Sequence, residues 1–429
     1  MDRFSQLTDD LLIKILSFLP TKDAVATSTL AKRWLSLWTL VPRLNFEDRW
    51  VDIEETNEVR LIVLPAHFVS GALLLNRSPV LERFHLSRAI ECSASEIDLW
   101  VRIAVDRFVR DLKISFVDDF HCLIRLPSRL FRCETLETLE LRKVSFLDVP
   151  SRFSLRSLRT LRLLSVKYAD EESFVRFISS APVLENLAVQ GCSDDNVPTF
   201  TINVPSLLSL SVRNILQDPG PCHHLYVIHS HSSLKHLEIV NEFGDVNVIG
   251  KMSKLVEASL PTLEDQVTAL ESLTTVKRLS LTLDGVAPQY PIGNVFFQLV
   301  RLEFRGCDVK WSDLLVHVLQ HSPVLQILKI IVLYDERSNF NRNVEDDKVC
   351  WIQPICVPEC LFFHLETFEW REYEGAETQK EVAVYILKNA RRLVTATVFP
   401  DSLRGGQRRV FDELEFATRG SRACELTLG

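Results

Sequence analysis

The chain has 429 residues, a net charge of -8, 46% hydrophobic and 25% charged residues, enough for two or three domains or one long solenoid and too apolar for a disordered chain. The acidic balance argues against a nucleic-acid-binding surface as the main role. Asp2, Arg3, Asp9 and Asp10 occupy the place where an export signal needs an apolar run, and the stretch Leu61 to Leu75 is too short to span a membrane and is broken by Pro65, His67 and Gly71.

Ten cysteines at irregular distances, in a chain with no export signal, read as small core residues of a reduced cytosolic or nuclear protein.

The predicted elements begin with Thr8, placed to cap a helix whose first turn carries Asp9 and Asp10 at the positive end of its dipole. Leu11, Leu12, Ile15, Leu16 and Leu19 come next as one apolar stripe, and Pro20 stops it. Thr21 and Asp23 open a second helix with Ala24, Val25 and Ser28. A third stretch, Leu30 to Trp38, sets Trp34 and Trp38 four apart on one face. So small a unit rarely closes a core around that much apolar surface, and a partner is the natural cover.

The string LTDDLLIKILSFLPTKDAVATSTLAKRWLSLW, continued by Pro42, Leu44 and Phe46, resembles an F-box, the three-helix module that docks on a Skp-family adaptor. The resemblance covers residues 4 to 46 and rests on the LP turn, the Asp after it, the KRW triplet and the second Trp. It departs mildly at Thr8, where Pro is usual, and at Ala31, where Ser or Cys is common. It implies that Leu7, Leu11, Leu12, Ile15, Leu16, Leu19, Pro20 and Val25 meet the adaptor, with Trp34 and Trp38 packing the module and its contact with the repeats. A plain helical cap would explain the amphipathicity but not this order of residues.

From Leu81 onward one pattern recurs. Leu136-Glu-Thr-Leu139-Glu-Leu141-Arg-Lys-Val144 and Leu158-Arg-Thr-Leu161-Arg-Leu163-Leu-Ser-Val166 are its clearest copies, with looser ones at Leu81, Val109, Leu184, Leu207, Leu234, Leu255, Val276, Leu299 and Leu325. The spacing averages about 24 residues, within the range of leucine-rich repeats. Alternate strand residues point the same way, so Leu139 and Leu141 face inward while Thr138, Glu140 and Arg142 face out. Helical spacing returns between strands, as in Phe174, Phe177 and Ile178 before Ala181-Pro182, and in Leu314, Leu315 and Val318 before Ser322-Pro323. If the strands line an inner curve, the outward residues Glu140, Arg142, Arg162, Gln190, Arg213, Glu238, Thr282, Glu303, Arg305 and Lys329 belong to the surface that faces a ligand. Mixed charge there suits a protein or peptide more than a polyanion.

Cys222-His223-His224 with His229, His231 and His236, and the set Cys350, Cys356, Cys360 and His364, supply metal-capable side chains at spacings that match no zinc pattern. No phosphate loop, dinucleotide fingerprint, nucleophile elbow or HExxH helix is present. No metal, cofactor or catalytic residue is therefore assigned.

Residues 335 to 348 form a polar run that reads as a boundary. Beyond it come a repeat-like strand from Leu365 to Trp370, a helix over 377 to 393, a strand through Val394, Ala396 and Val398, a short helix near Val410 to Ala417 and a terminal strand through Cys424, Leu426 and Leu428. VPECLFFHLETFEWREYEGAETQKEVAVYILKNARRLVTATV and the closing FDELEFATRGSRACELTL look like the FBD domain found after the repeats in many plant F-box proteins. The whole chain is thus similar to the plant F-box, leucine-rich repeat and FBD family.

The expected architecture is an α/β solenoid: a leucine-rich repeat horseshoe over residues 47 to 350, with a three-helix F-box over 1 to 46 and a C-terminal α+β FBD cap over 351 to 429. The resemblance implies a non-catalytic substrate-recognition subunit of an SCF-type ubiquitin ligase, partnered by a Skp-family adaptor, through it a cullin, and a protein substrate that the sequence does not name. A repeat scaffold or small-molecule receptor outside any ligase would share the concave surface. A hidden hydrolase would need turnover by the chain alone.

Overall fold

The structure is a computed structural model and describes residues 6–53, 58–88, 92–116, 126–144, 149–191, 197–214, 224–229, 231–241, 244–250, 252–262, 273–283, 295–306, 311–332, 351, 353–400 and 411–429. It divides into two compact units, the first made of Met1–Leu207, Val212–Val227 and Phe243–Asp245, the second of Leu208–Ser211, Ile228–Glu242 and Val246–Gly429.

The first unit opens with α1 (Asp9–Leu16), α2 (Thr21–Ala26) and a single turn, α3 (Trp34–Leu37), with 3-10 turns at Thr27–Thr29 and Trp38–Leu40. Thr8 holds the cap position with extended backbone, but its side chain makes no capping bond. The start of α1 is instead tied down by Arg33 of the KRW triplet, which donates to Asp9 Oδ1 at 2.6 Å and to the Leu7 carbonyl. The long third helix expected from Leu30 does not form. Thr27, Thr29 and Thr39 turn their hydroxyls back onto the carbonyls of Ala24, Ala26 and Ser36, a local alternative that competes with the helical ladder.

The chain then enters β1 (Arg43–Glu47), a hairpin of β2 (Arg49–Ile53) and β3 (Glu58–Ile62), and α4 (Ala66–Leu75). Next come β4 (Arg83–Arg88), α5 (Ala94–Asp106), β5 (Asp111–Phe116), β6 (Thr138–Arg142), β7 (Thr160–Leu164), α6 (Glu171–Ser179), β8 (Asn186–Gln190) and β9 (Thr199–Ile202). Strands β1, β4, β5, β6, β7 and β8 pair side by side, all parallel. Their register stacks Leu44, Phe84, Leu112, Leu139, Leu161 and Leu187 in one row and Phe46, Leu86, Ile114, Leu141, Leu163 and Val189 in the next. Each of these is 3% exposed or less. A parallel crossover needs a dozen or more residues and often a helix, and α5 and α6 fill two of them. α5 starts on a reciprocal capping box between Ser93 and Glu96; α6 starts on Asp170, whose carboxylate accepts from the Ser173 amide at 2.6 Å. Aromatic rings fill the space behind the later strands, with Phe174 edge-on to Phe200 and Phe200 stacked on Tyr226. Gly191 lies so close that a Cβ there would meet the His224 ring at 2.8 Å.

β10 (Ser209–Asn214), β11 (His224–His229) and β13 (Gly244–Ile249) fall where the two units divide. The second unit holds β12 (His236–Asn241), β14 (Glu257–Thr262), β15 (Arg278–Leu283), β16 (Arg301–Gly306), α7 (Trp311–Gln320) and β17 (Ile327–Val332). It continues with α8 (Glu359–Phe363), β18 (Thr367–Tyr373), α9 (Glu377–Asn389), β19 (Thr395–Pro400), α10 (Asp412–Glu415) and β20 (Glu425–Leu428). Successive strands of this unit pair in parallel, from β12 against β14 to β19 against β20. The C-terminal segment, expected as an α+β cap, therefore extends the α/β stack: β18 pairs directly with β17 because Phe368 and Trp370 stand in register with Leu328 and Ile330. On the last strand, Leu426 and Leu428 stay half-buried.

The F-box-like stretch runs into the repeats without a break. Its end, Arg43 to Phe46, is part of the first parallel strand, and the Asn45 amide donates to Thr21 Oγ1 of α2 at 2.8 Å. Asn76, 2% exposed, braces the same joint. Its side-chain amide donates to the Val41 carbonyl at 2.9 Å, and its carbonyl accepts from the Ser78 amide and Arg107 Nη1, each at 3.2 Å. Removing a buried partner strands the groups it satisfied. Asn76→Ala should therefore lower unfolding free energy by about 1 to 3 kcal/mol; a urea midpoint equal to that of the parent would show that the bracket carries no stability.

Candidate functional site

Two surfaces come into question. The first is the outer face of α1. At helical spacing Leu11, Ile15 and Phe18 point away from the chain, with exposures of 49%, 40% and 72%. Leu12 and Leu16 point the other way and are 0% and 1% exposed. Both are expected from sequence at an adaptor contact together with the rest of the stripe; here they are closed into the chain's own core, where a docking partner cannot reach them. The reason is geometric: the stripe spans wider than one face, and the half toward α3 is used internally. Trp38 and Leu37 are buried with them, while Trp34, Leu7, Leu19, Pro20 and Val25 are half-buried. Leu30 and Leu35 add exposed apolar surface on the same module. Phe18 lies outside the stripe read from sequence, although its position seven after Leu11 is a usable signal.

The second surface is the outward face of the strands. None of Glu140, Arg142, Arg162, Gln190, Arg213, Glu238, Thr282, Glu303, Arg305 and Lys329 is buried, and all lie within strands. In the first unit Glu140 bridges two cations, Lys113 at 3.1 Å and Arg162 at 3.3 Å. One strand earlier, Asp111 meets Arg83 at 2.8 Å and the His85 ring at 3.0 Å. In the second unit Glu303 meets Arg305 at 2.7 Å and Lys329 at 3.3 Å, Glu257 meets Arg278 at 2.9 Å and His236 at 3.4 Å, and Ser211 donates to Glu238 at 2.6 Å. Burial pushes the Glu303 carboxyl up, but the hydrogen bond from Arg305 and the charge of Lys329 outweigh it and hold it below its ordinary value.

Two of the metal-capable side chains make other contacts. His224 packs edge-on against Phe200, its Nδ1 3.2 Å from the Val197 carbonyl. Cys360 is buried, with its thiol on the Leu319 carbonyl and pushed up to about 12 by burial. Cys222, His223 and Cys350 lie outside the described residues. Among the described residues no three His, Cys, Asp or Glu side chains converge as metal ligands, and no helix is long and apolar enough to cross a membrane.

The sequence patterns of known families match in three places: the F-box domain over residues 4–46, the LRR repeats of FBD-associated F-box protein At5g56370 over residues 97–245, and FBD over residues 353–398. Among curated proteins, F-box/FBD/LRR-repeat protein At5g56420 of Arabidopsis thaliana is 41% identical over 99% of this chain and 98% of its own. F-box/FBD/LRR-repeat protein At4g26340 of the same plant is 41% identical over 95% of each chain. Putative FBD-associated F-box protein At3g50710 is 37% identical over the full length of both.

Asp111 gives the outward face a measurable pH signature. Burial raises its carboxyl, but the His85 ring and the Arg83 guanidinium beside it more than compensate, leaving it below the ordinary 3.8. A depressed carboxyl stabilises the fold fully above its unfolded value, and that contribution is lost as pH falls through the folded one. Titrating from about pH 6 to about pH 3 should therefore lower the parent's urea midpoint more steeply than that of Asp111→Asn, which starts lower. Parallel curves for the two proteins would show that Asp111 contributes no pH-dependent stability.

Proposed function

Because the chain belongs to the family of plant F-box/FBD/LRR-repeat proteins, we propose that it is the substrate-recognition subunit of an SCF-type ubiquitin ligase. Residues 1–46 dock on a Skp-family adaptor and through it on a cullin, residues 47–350 hold a target protein on the concave side of a repeat horseshoe, and residues 351–429 close the array. The work takes place in the cytosol or nucleus. The subunit does no bond chemistry; it supplies proximity, holding a target where the charged ubiquitin carrier can reach it.

The observation that carries this reading is the division of labour on α1. Leu12 and Leu16 close the module from within, yet Leu11, Ile15 and Phe18 remain in solvent on the opposite side. Large apolar side chains grouped at helical spacing are costly to leave in water and favour a protein partner. A stable docking surface of that kind buries on the order of 1,600 Å² in total, with most of the energy in a few apolar anchors. Leu11, Ile15 and Phe18 are the anchors assigned here; Leu12 and Leu16 act as their internal support.

The test separates anchors from support. Leu11→Asp combined with Phe18→Asp should abolish co-purification with a Skp-family adaptor while leaving the far-ultraviolet spectrum and thermal midpoint near those of the parent. Leu12→Ala should chiefly lower stability, by about 2 to 5 kcal/mol. Adaptor binding retained by the double Asp variant would defeat the assignment.

A further inference from the structure

The outward faces of the two units differ in charge. Across the strands of the second unit, the five cations Arg278, Arg301, Arg305, Lys329 and Arg371 are matched in number by the five carboxylates Glu238, Glu257, Glu303, Glu369 and Glu425. Across β5, β6 and β7 of the first unit the cations Lys113, Arg142 and Arg162 outnumber the carboxylates Asp111 and Glu140, and Asp111 is taken by Arg83 and His85 of β4. Lys113, Glu140 and Arg162 stand in one register row, and Glu140 spends one oxygen on each neighbour. In that row a single carboxylate thus answers two cations. Arg142, exposed two residues along β6, has no ion pair among the described residues. Glu47 shares its row but sits three strands away, about 14 Å at ordinary strand spacing. On the other side, β8 offers Asn186, Ala188 and Gln190, none of them charged. The excess of positive charge is therefore local, and it lies on a chain whose net charge is -8.

We propose that this patch, Lys113, Arg142 and Arg162 around Glu140, seats an acidic segment of the target protein, its carboxylate or phosphate oxygens taken by Arg142 and Arg162. The inference rests on the reading of the repeats as the part that holds the target. Two features favour an anionic protein segment over a general polyanion. Guanidinium groups grip carboxylates and phosphates through two parallel hydrogen bonds. Glu140 in the middle of the patch would repel a continuous line of phosphates, yet it tolerates a chain that places its anions to either side. Arg162 is half exposed, and exposed ion pairs are weak enough for its guanidinium to turn from Glu140 to a ligand at little cost. Leu164 and Ala188 flank it and offer apolar footing for the residues between the anions.

The probes are three synthetic peptides of equal length: one rich in Glu, one with phosphoserine in place of those Glu residues, and one with Gln. Binding is monitored by fluorescence anisotropy on the full chain, with and without a Skp-family adaptor. The parent should bind the Glu or the phosphoserine peptide at least about tenfold more tightly than the Gln peptide, with the preference shrinking as salt rises. Which anionic peptide binds better identifies the source of the oxygens. Arg142→Glu with Arg162→Glu should erase the preference, and Arg142→Gln with Arg162→Gln should weaken it by about tenfold should the reversal fail to fold. Arg301→Glu, on the second unit and outside the patch, should change nothing. Equal binding of all three peptides, an unchanged preference in the Arg142 and Arg162 variants, or tighter binding to heparin than to either anionic peptide would overturn the proposal. Adaptor binding is read in the same preparations, so its loss counts against the ligase reading alone and the peptide result counts against the patch alone.

Discussion

A single repeat of this protein cannot keep its own leucines out of water. Leu139 and Leu141 are fully buried only because Leu112 and Ile114 stand beside them on one side and Leu161 and Leu163 on the other. The parallel register enforces that alignment, since a slip of one residue would turn Glu140 inward and both leucines out. Everything else on the strands depends on it. Once the inward rows are committed to apolar residues, the outward rows are free to vary in charge, and the two units have used that freedom differently.

The N-terminal module is bound into this arrangement directly. Its last residues form β1, Phe46 lies edge-on to Phe84 of the neighbouring strand, and Asn76 and Thr21 tie loop to helix across the joint. Just beyond, Asp48 and Arg88 form an ion pair buried on both sides, 3.3 Å apart, with Asp48 also accepting from the Leu64 amide at 2.8 Å. Buried charges are costly unless each is paired and hydrogen-bonded, so this pair specifies one arrangement of β1, β4 and the segment before α4. A module fixed in this way presents the outer face of α1 in a constant orientation to the sheet of its own unit.

Charge on the outward faces obeys the same economy of pairing. Several carboxylates there meet a cation on a neighbouring strand, as Glu257 meets Arg278 and Asp111 meets Arg83. Individually such pairs contribute little to stability. Their more telling role is to cancel charge where they form, and beside Arg142 and Arg162 one shared carboxylate leaves positive charge over.

The sequence by itself determined the repeat spacing, the inward and outward alternation, the F-box and FBD resemblances and the helices that begin at Glu171 and Trp311, because each rests on short-range periodicity. Leu11, Ile15 and Arg142 were legible as candidates for the same reason. What only the tertiary structure decided was which half of the apolar stripe on α1 faces its own chain, that Phe18 joins the exposed half, that the third helix breaks into short turns, and that the C-terminal segment continues the parallel stack. Those outcomes depend on which neighbour covers a side chain, and a neighbour brought in from 24 residues away, as Arg33 is to Asp9, leaves no mark in local spacing. The pairing of one Glu140 with both Lys113 and Arg162 belongs to this second kind, since it exists only where three separate strands lie in register.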